Sequence, residues 1–357
     1  MKTYIKFLIT LFNISFFKVF TIFFMIIFII NILDQVEFFK SFNLSFLYLV
    51  FLSFLNTPSI IFEILPFIFL LATQLFFIKL IDKNELEIFK YNGLDNMKII
   101  KILSIYSFVL GIIFIVFFYN ISSVLKNSFL QIKNSYTKDD KYLAVITENG
   151  IWIKDEINNN INIINAKSVD NEFLLDVSIT QFNKNFEILR IIKSERVNIA
   201  SFDWIIINPR ILKDNIESFR DQLILTSNFD LKKINTLFSN LYSLTIPDLI
   251  KLKKSYKSLN YSVIDLDSHL YKIFSYPLYL MLITVFSAII MLSAGYQKNT
   301  LFTVIYGVFL SVIIYYINYF LNILGTNEKI PLFLSIFLPL IILSIINFTS
   351  IIKLNEK

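Results

Sequence analysis

Cysteine is absent from this chain, histidine occurs once, and only six glycines and seven prolines are spread over 357 residues. Without cysteine there can be no disulfide framework and no thiolate-ligated metal or cluster. A single histidine, His269, gives a His-ligated zinc site or a Ser-His-Asp triad little to draw on. No clustered catalytic constellation and no cofactor site is expected. A G-x-x-x-x-G-K-[ST] loop is also missing, so any nucleotide hydrolysis has to come from another chain. Charge is scarce as well, at 17% of residues against 56% hydrophobic. With a mean hydropathy of +0.65, a soluble domain of this kind would precipitate. The net charge of +6 suits basic flanks at membrane helices, and no feature points to nucleic acid.

What is present is a set of long uncharged runs. About 20 apolar residues cross a hydrocarbon core, because a helix satisfies its own backbone groups there. The first span is expected at 12–33. The run after Lys18 lacks a small-residue cleavage site and reads as a retained signal anchor. Residues 44–57 end at Thr57-Pro58, which predicts a short interfacial helix stopped by proline. A second span at 60–81 contains Glu63 and Pro66, and a third covers 102–125. Three further runs follow at 273–297, 299–327 and 330–352.

Between the two groups the character changes. YLAVIT, then ENG, then IWIK predicts a hairpin turning at Asn149-Gly150. INIINAKS, FLLDVSITQF, FEILRII and DWIIIN follow, divided by the polar turns NNN, DNE and NKN. Short strands at such spacing predict a sandwich or jelly-roll. After Pro209 the pattern turns helical, and 247–259 reads as a proline-started helix. The chain is therefore expected to be an α+β membrane protein. Six transmembrane helices stand in a 3+3 arrangement around an inserted β domain. Residues 1–134 hold helices one to three, 135–268 the β domain and 269–357 helices four to six.

Short-loop lysines set the expected orientation. Lys79, Lys83, Lys90, Lys98 and Lys101 fall between the second and third spans, Lys2 and Lys6 precede the first, and Lys353 and Lys357 follow the last. The loop after the first span has Lys40 alone, with Asp34 and Glu37. Both termini and the 79–101 segment are then cytoplasmic and the β domain lies outside, which in a cell with two membranes is the periplasm.

The stretch NELEIFKYNGLDNMKI, 84–99, is more than a loop needs. Acidic residues early (Glu85, Glu87) and lysines late (Lys98, Lys101) match a helix dipole. Leu86, Phe89 and Lys90 share a face, and Gly93 can end the helix. The segment fits either a surface helix laid on the membrane or a coupling helix seated in a groove on a cytoplasmic motor.

In detail, this stretch resembles the "SEL…(A/S)-G-(V/F/I)" signature of the LptF/LptG permease family, also called the YjgP/YjgQ proteins. TPSIIFEILPFIFLLATQLFFIKLIDKNEL is similar to that family's "P-x-x-x-(Y/F)-E-x-x-P" second span. GIWIKD, SFDWIIINP and LYKIFSYPL resemble further family segments, in the same order. Asn92 stands where the family has a small residue, and Tyr91 is bulky, which bears on how closely that helix end packs. Glu63 and the Trp204–Pro209 stretch lean toward the LptG side. The resemblance implies the transmembrane half of an ABC transporter that extracts lipopolysaccharide. Its implied partners are a cytoplasmic LptB-like ATPase, a paralogous LptF-like permease, and LptC- and LptA-like periplasmic proteins. The ATPase-coupling residues implied are Glu85, Leu86, Glu87, Phe89 and Gly93.

Candidate lipid contacts are Asp34, Gln35, Lys40, Lys126, Lys133, Val177 and Ile179. Lys126 and Lys133 stand just past the third span, where a lysine can meet a lipid phosphate or simply snorkel to anionic headgroups. Asp34 and Gln35 fit the rim of a lipid cavity or the cap of a helix end, although acids repel phosphates. Glu63 is costly inside a span unless paired or facing water. Ile151, Ile153, Leu175, Val177 and Ile179 fit an apolar groove for acyl chains, and equally the core of any sandwich. A membrane-anchored scaffold or sensor is the alternative from another class, and the LptF paralogue is the alternative within this one. A scaffold needs no ATPase-docking helix, so 84–99 discriminates between the classes.

Overall fold

A computed structural model of the chain describes residues 3–42, 44–136, 151–157, 160–170, 172–213, 216–231, 234, 240–258, 262–294 and 300–355. The hairpin expected at Asn149-Gly150 lies outside the described residues. Two compact units emerge, Met1–Lys126 with Ile264–Lys357, and Asn127–Val263.

The helical unit contains α1 (Thr3–Phe38), α2 (Phe46–Asp82), the short α3 (Glu85–Tyr91) and α4 (Asn96–Ile113). A π-helical turn, Phe114–Tyr119, joins α4 to α5 (Asn120–Ser135). Past the β strands come α6 (Ile246–Ser258), which belongs to the second unit, and then α7 (Ile264–Ala294), α8 (Thr300–Thr326) and α9 (Leu332–Asn355) of the helical unit. Six helical segments among the described residues are long and apolar enough to cross a membrane.

One expectation is corrected. The predicted interfacial helix at 44–57 and the second span are a single helix, with Pro58 and Pro66 inside it. A helix of 37 residues is about 55 Å long, well beyond the ~30 Å hydrocarbon core. Proline removes one backbone donor and does not force a stop when packing holds both sides. Leu49, Leu52 and Leu55 are buried before Pro58, and Ile61 and Leu65 after it. Asn31 of α1 also binds Thr57 Oγ1 at 3.2 Å, which ties the proline region to its neighbour.

Bulky side chains fill the helical core, as the shortage of small residues demands. Phe12 lies 5.9 Å edge-on from Tyr106 and 6.2 Å from Phe69 and Phe76. Leu70, Leu282, Ile283, Phe286, Leu340 and Leu343 join α2, α7 and α9. Glycine allows close approach between backbones at Gly111: a Cβ there would stand 2.7 Å from Pro277 Cα, so α4 and α7 touch backbone to backbone.

The second unit is an antiparallel sheet with strands β1 (Ile151–Ile157), β2 (Asn160–Ala166), β3 (Ser168–Asp170), β4 (Phe173–Phe182), β5 (Ile188–Asn198), β6 (Asp203–Ile207), β7 (Arg210–Lys213), β8 (Ile216–Phe219) and β9 (Gln222–Thr226). Its main path runs β1-β2-β4-β5-β6-β9. The long β4–β5 pair is the spine. β4 pairs with β3 and β2 along its length, and β5 with β6 and β7. The helical pattern expected directly after Pro209 is corrected, because β7, β8 and β9 occupy that stretch. These strands are four or five residues long, too short for period alone to separate from a helical turn. Pairing of β7 to β5, of β8 to β7 and of β9 to β6 decides them.

Two polar anchors close this sheet. Buried Asp155 accepts from Ser227 Oγ at 2.8 Å, from the Asn228 backbone at 3.1 Å and from Asn228 Nδ2 at 2.8 Å. Trp204, fully buried, donates its indole N–H to the Phe229 carbonyl at 2.7 Å. Both pin the segment 227–229 after β9. Stranding buried donors costs about 1–3 kcal/mol each. Asp155→Ala is therefore expected to lower the unfolding free energy of this unit by about 2 kcal/mol or more, read by thermal or denaturant unfolding. A change near zero would show that the anchor is dispensable.

Candidate functional site

The segment between the second and third spans is a short helix with a defined end. Gly93, at φ 78°, donates to the Lys90 carbonyl at 3.0 Å, and Leu94 donates to Phe89 at 2.9 Å. This is the Schellman arrangement, for which glycine is suited because it has no Cβ to clash at positive φ. Asn92 Nδ2 adds a bond to the Ile88 carbonyl at 2.7 Å. Leu86 and Leu94 are buried and turn inward. Phe89 is half-buried, its ring 5.8 Å from Phe7 of α1.

Leu86 therefore faces its own chain. The outward side carries Glu87, Ile88 and Tyr91, with Ile88 55% and Tyr91 89% exposed. Asn92 and Tyr91, bulky by comparison with the family pattern, point away from the rest of the chain, so no close packing constrains them. Beside the helix lies an open apolar recess of about 400 Å3 lined by Thr3, Tyr4, Phe7, Glu85, Ile88 and Phe89. Glu85 borders it, and its Oε2 is buried without a hydrogen-bond partner among the described residues.

A second cluster gathers polar side chains from α1, α2 and α5. Asn31, 2% exposed, donates to Thr57 Oγ1 and accepts from Asn56 Nδ2 at 2.7 Å. Lys126 Nζ donates to Asn56 Oδ1 at 2.5 Å. Gln35 stands one turn beyond Asn31 and is buried at 2%. Of the expected lipid contacts, the structure thus brings Gln35 and Lys126 into the vicinity of one network. Asp34 and Lys40 stay exposed outside it. Lys133, in the other unit, lies over the Phe129 ring at 5.6 Å.

Below this network the second and fourth spans meet at two proline-containing motifs. Pro66 has no N–H to give the Phe62 carbonyl one turn earlier, and the Tyr276 hydroxyl donates to that carbonyl instead. The Tyr276 ring stacks on Phe62 at 4.7 Å, and Tyr119 packs edge-on to the same ring at 5.1 Å. Tyr119 ends the π-helical turn, and its hydroxyl meets His269 Nε2 at 2.9 Å. His269 thus has a structural partner at a helix junction.

In the β unit, Val177 and Ile179 are 3% and 1% exposed, closed in with Ile153, Ile164 and Ile192. Lipid would reach them only through an opening of the sheet. Gln181 Nε2, also in β4, donates to Asn162 Oδ1 at 2.7 Å, and Arg190 Nε binds Gln181 Oε1. Burial lowers the Arg190 guanidinium pKa from its usual value, and nearby Arg220 adds to this.

The profile of a family described as lipopolysaccharide export system permease LptF/LptG matches residues 6–353. The chain belongs to the LptF/LptG family. No curated protein matches it. As a member it is a multi-pass membrane permease of a lipopolysaccharide export system and not an enzyme.

For an LptF/LptG chain, residue-by-residue reading missed several members of the polar cluster. Asn56, Thr57, Tyr119 and Tyr276 carry no pattern that joins them in sequence. Polar side chains inside otherwise apolar spans were the available signal, and Asn31 and Lys272 both qualify. The Phe62–Tyr276 contact makes a direct prediction. Tyr276→Phe strands a carbonyl in the membrane core and should destabilise the detergent-solubilised protein by about 1–2 kcal/mol. Adding Pro66→Ala returns the backbone donor and should recover most of that loss in thermal unfolding. A double variant as unstable as the sum of the singles would contradict this account.

Proposed function

We propose that this chain is one of two permease subunits of an ABC transporter that extracts lipopolysaccharide from the inner membrane and passes it to a periplasmic bridge. The observation that carries the reading is α3. It is a capped helix between two spans that turns Ile88 and Tyr91 outward beside an apolar recess. A scaffold has no use for such a surface. An LptB-like cytoplasmic ATPase is its fitting partner, an exposed helical ridge being a common way to enter a groove. Glu85, which borders the recess, is the polar contact of that docking surface, and Glu87 and Phe89 flank it. Gly93 fixes the helix end and Leu86 anchors the helix to its own chain.

A paralogous LptF-like permease completes the pair. The most hydrophobic windows of the first and fifth spans are 17% buried, against 61% in the second and fourth. That difference supports a neighbour alongside the outer helices. Lys126 and Lys133 supply positive charge for the lipid phosphates, with Gln35 nearby in the first span and Asp34 and Lys40 at its rim. Val177 and Ile179 receive acyl chains when the sheet opens toward LptC- and LptA-like proteins. Glu63 and the Trp204–Pro209 stretch favour the LptG half of the pair. Both termini are cytoplasmic and the β unit is periplasmic.

Purification from native membranes tests the core of this reading. An ABC ATPase and a second six-span protein should accompany the chain, and their absence would sink it. Glu85→Lys should abolish recovery of the ATPase while membrane insertion persists. An undiminished complex would remove α3 from coupling. Single cysteines at Asn96 and Asn185 should label from opposite sides of the membrane, whereas labelling from one side overturns the orientation. A photo-crosslinking residue at Val177 or Ile179 should capture lipopolysaccharide only when the ATPase has ATP. Capture without ATP would mean passive sticking to a core.

A further inference from the structure

Glu63 and Lys272 are two charged side chains, in the second and fourth spans, to which the transport reading gives no task. Charges in spans are costly and are kept where they pair or meet water. The Phe62–Tyr276 stack and the Tyr276 hydroxyl bond fix the two spans at one level. Glu63 directly follows Phe62, and Lys272 stands one turn before Tyr276 on the same face of α7. Asn56, which holds the Lys126 ammonium at 2.5 Å, stands two turns before Glu63 on α2. Glu63 accordingly lies within Coulombic reach of both Lys126 and Lys272, and Lys272 within reach of Glu63 and the exposed Asp265. Glu63 as a residue is exposed at the surface of the chain.

We propose that Glu63 and Lys272 form a compensated pair that sets the potential felt by a phosphate-bearing lipid headgroup at Lys126, which makes Glu63 a positioning residue. The proposal rests on the reading of the chain as a carrier of an anionic lipid. A carrier must bind well enough to load and weakly enough to release. Without Glu63 two lysines would hold the headgroup too firmly. Without Lys272 the carboxylate would turn on Lys126 and cancel it.

The sign of two substitutions tests this. The full chain, purified in neutral detergent, is titrated with phosphatidic acid and with diacylglycerol of the same acyl chains, and retention is read by native mass spectrometry. Glu63→Gln should strengthen phosphatidic acid retention by roughly tenfold and Lys272→Gln should weaken it by a similar factor. The double variant should return near the starting value. Diacylglycerol should be indifferent to all three. Weaker retention of both lipids in both single variants would mean a structural role only and would overturn the proposal, as would no change. Excess inorganic phosphate should leave phosphatidic acid bound, and displacement would reassign the site to free phosphate. If one single variant fails to fold, the other still separates the two lipids. Opposite signs in a chain that releases no lipopolysaccharide would sink the transport reading and leave the charge pair standing. Lipopolysaccharide release with no sign difference would do the reverse.

Discussion

A carbonyl without a donor inside a bilayer has no water to turn to, and the helical unit is organised around that constraint. Pro66 creates such a carbonyl at Phe62, and Tyr276 answers it from another span. The bond does more than repair one turn. It brings a second-span motif, PSIIFEILP, against a fourth-span motif, KIFSYP, although more than two hundred residues separate them. Glu63, Lys272, Tyr119 and His269 take their neighbours from that meeting. Hydrophobic burial alone could not choose it, because lipid is as apolar as a neighbouring leucine and gives helices little reason to prefer one another.

The same logic extends outward along α2. Asn31, Asn56, Thr57 and Lys126 hydrogen-bond across three helices where an unsatisfied amide would be expensive. Close backbone approach at Gly111 and Pro277 supplies the complementary packing, with aromatic rings filling the space that few small residues leave. The β unit uses polar anchors differently. Asp155 and Trp204 lie in separate strands and secure one segment, so the sheet's irregular end is held by directed bonds as well as by its apolar interior.

Much of this was legible in the sequence. Six spans, the inserted β region and the helix at 84–99 follow from run length, alternation and the glycine that ends α3, because each is a local consequence of backbone satisfaction or of φ. The resemblance to LptF/LptG was readable from motifs in order. The expected orientation comes from lysine counts alone and remains a proposal.

Tertiary packing alone decided the rest. It carried α2 through Pro58, since buried leucines on both sides outweigh one missing hydrogen bond. It made strands of the residues after Pro209, since segments of four or five residues have too few periods to declare themselves and take their conformation from the strands they pair with. It turned Leu86 inward and Ile88 and Tyr91 outward on a helix whose pattern allowed either face. Above all it brought Glu63 of the second span and Lys272 of the fourth to one junction, through the Phe62–Tyr276 contact. Sequence lists charges one at a time, but an ion's cost or use in a membrane depends on what stands a few ångströms away in space.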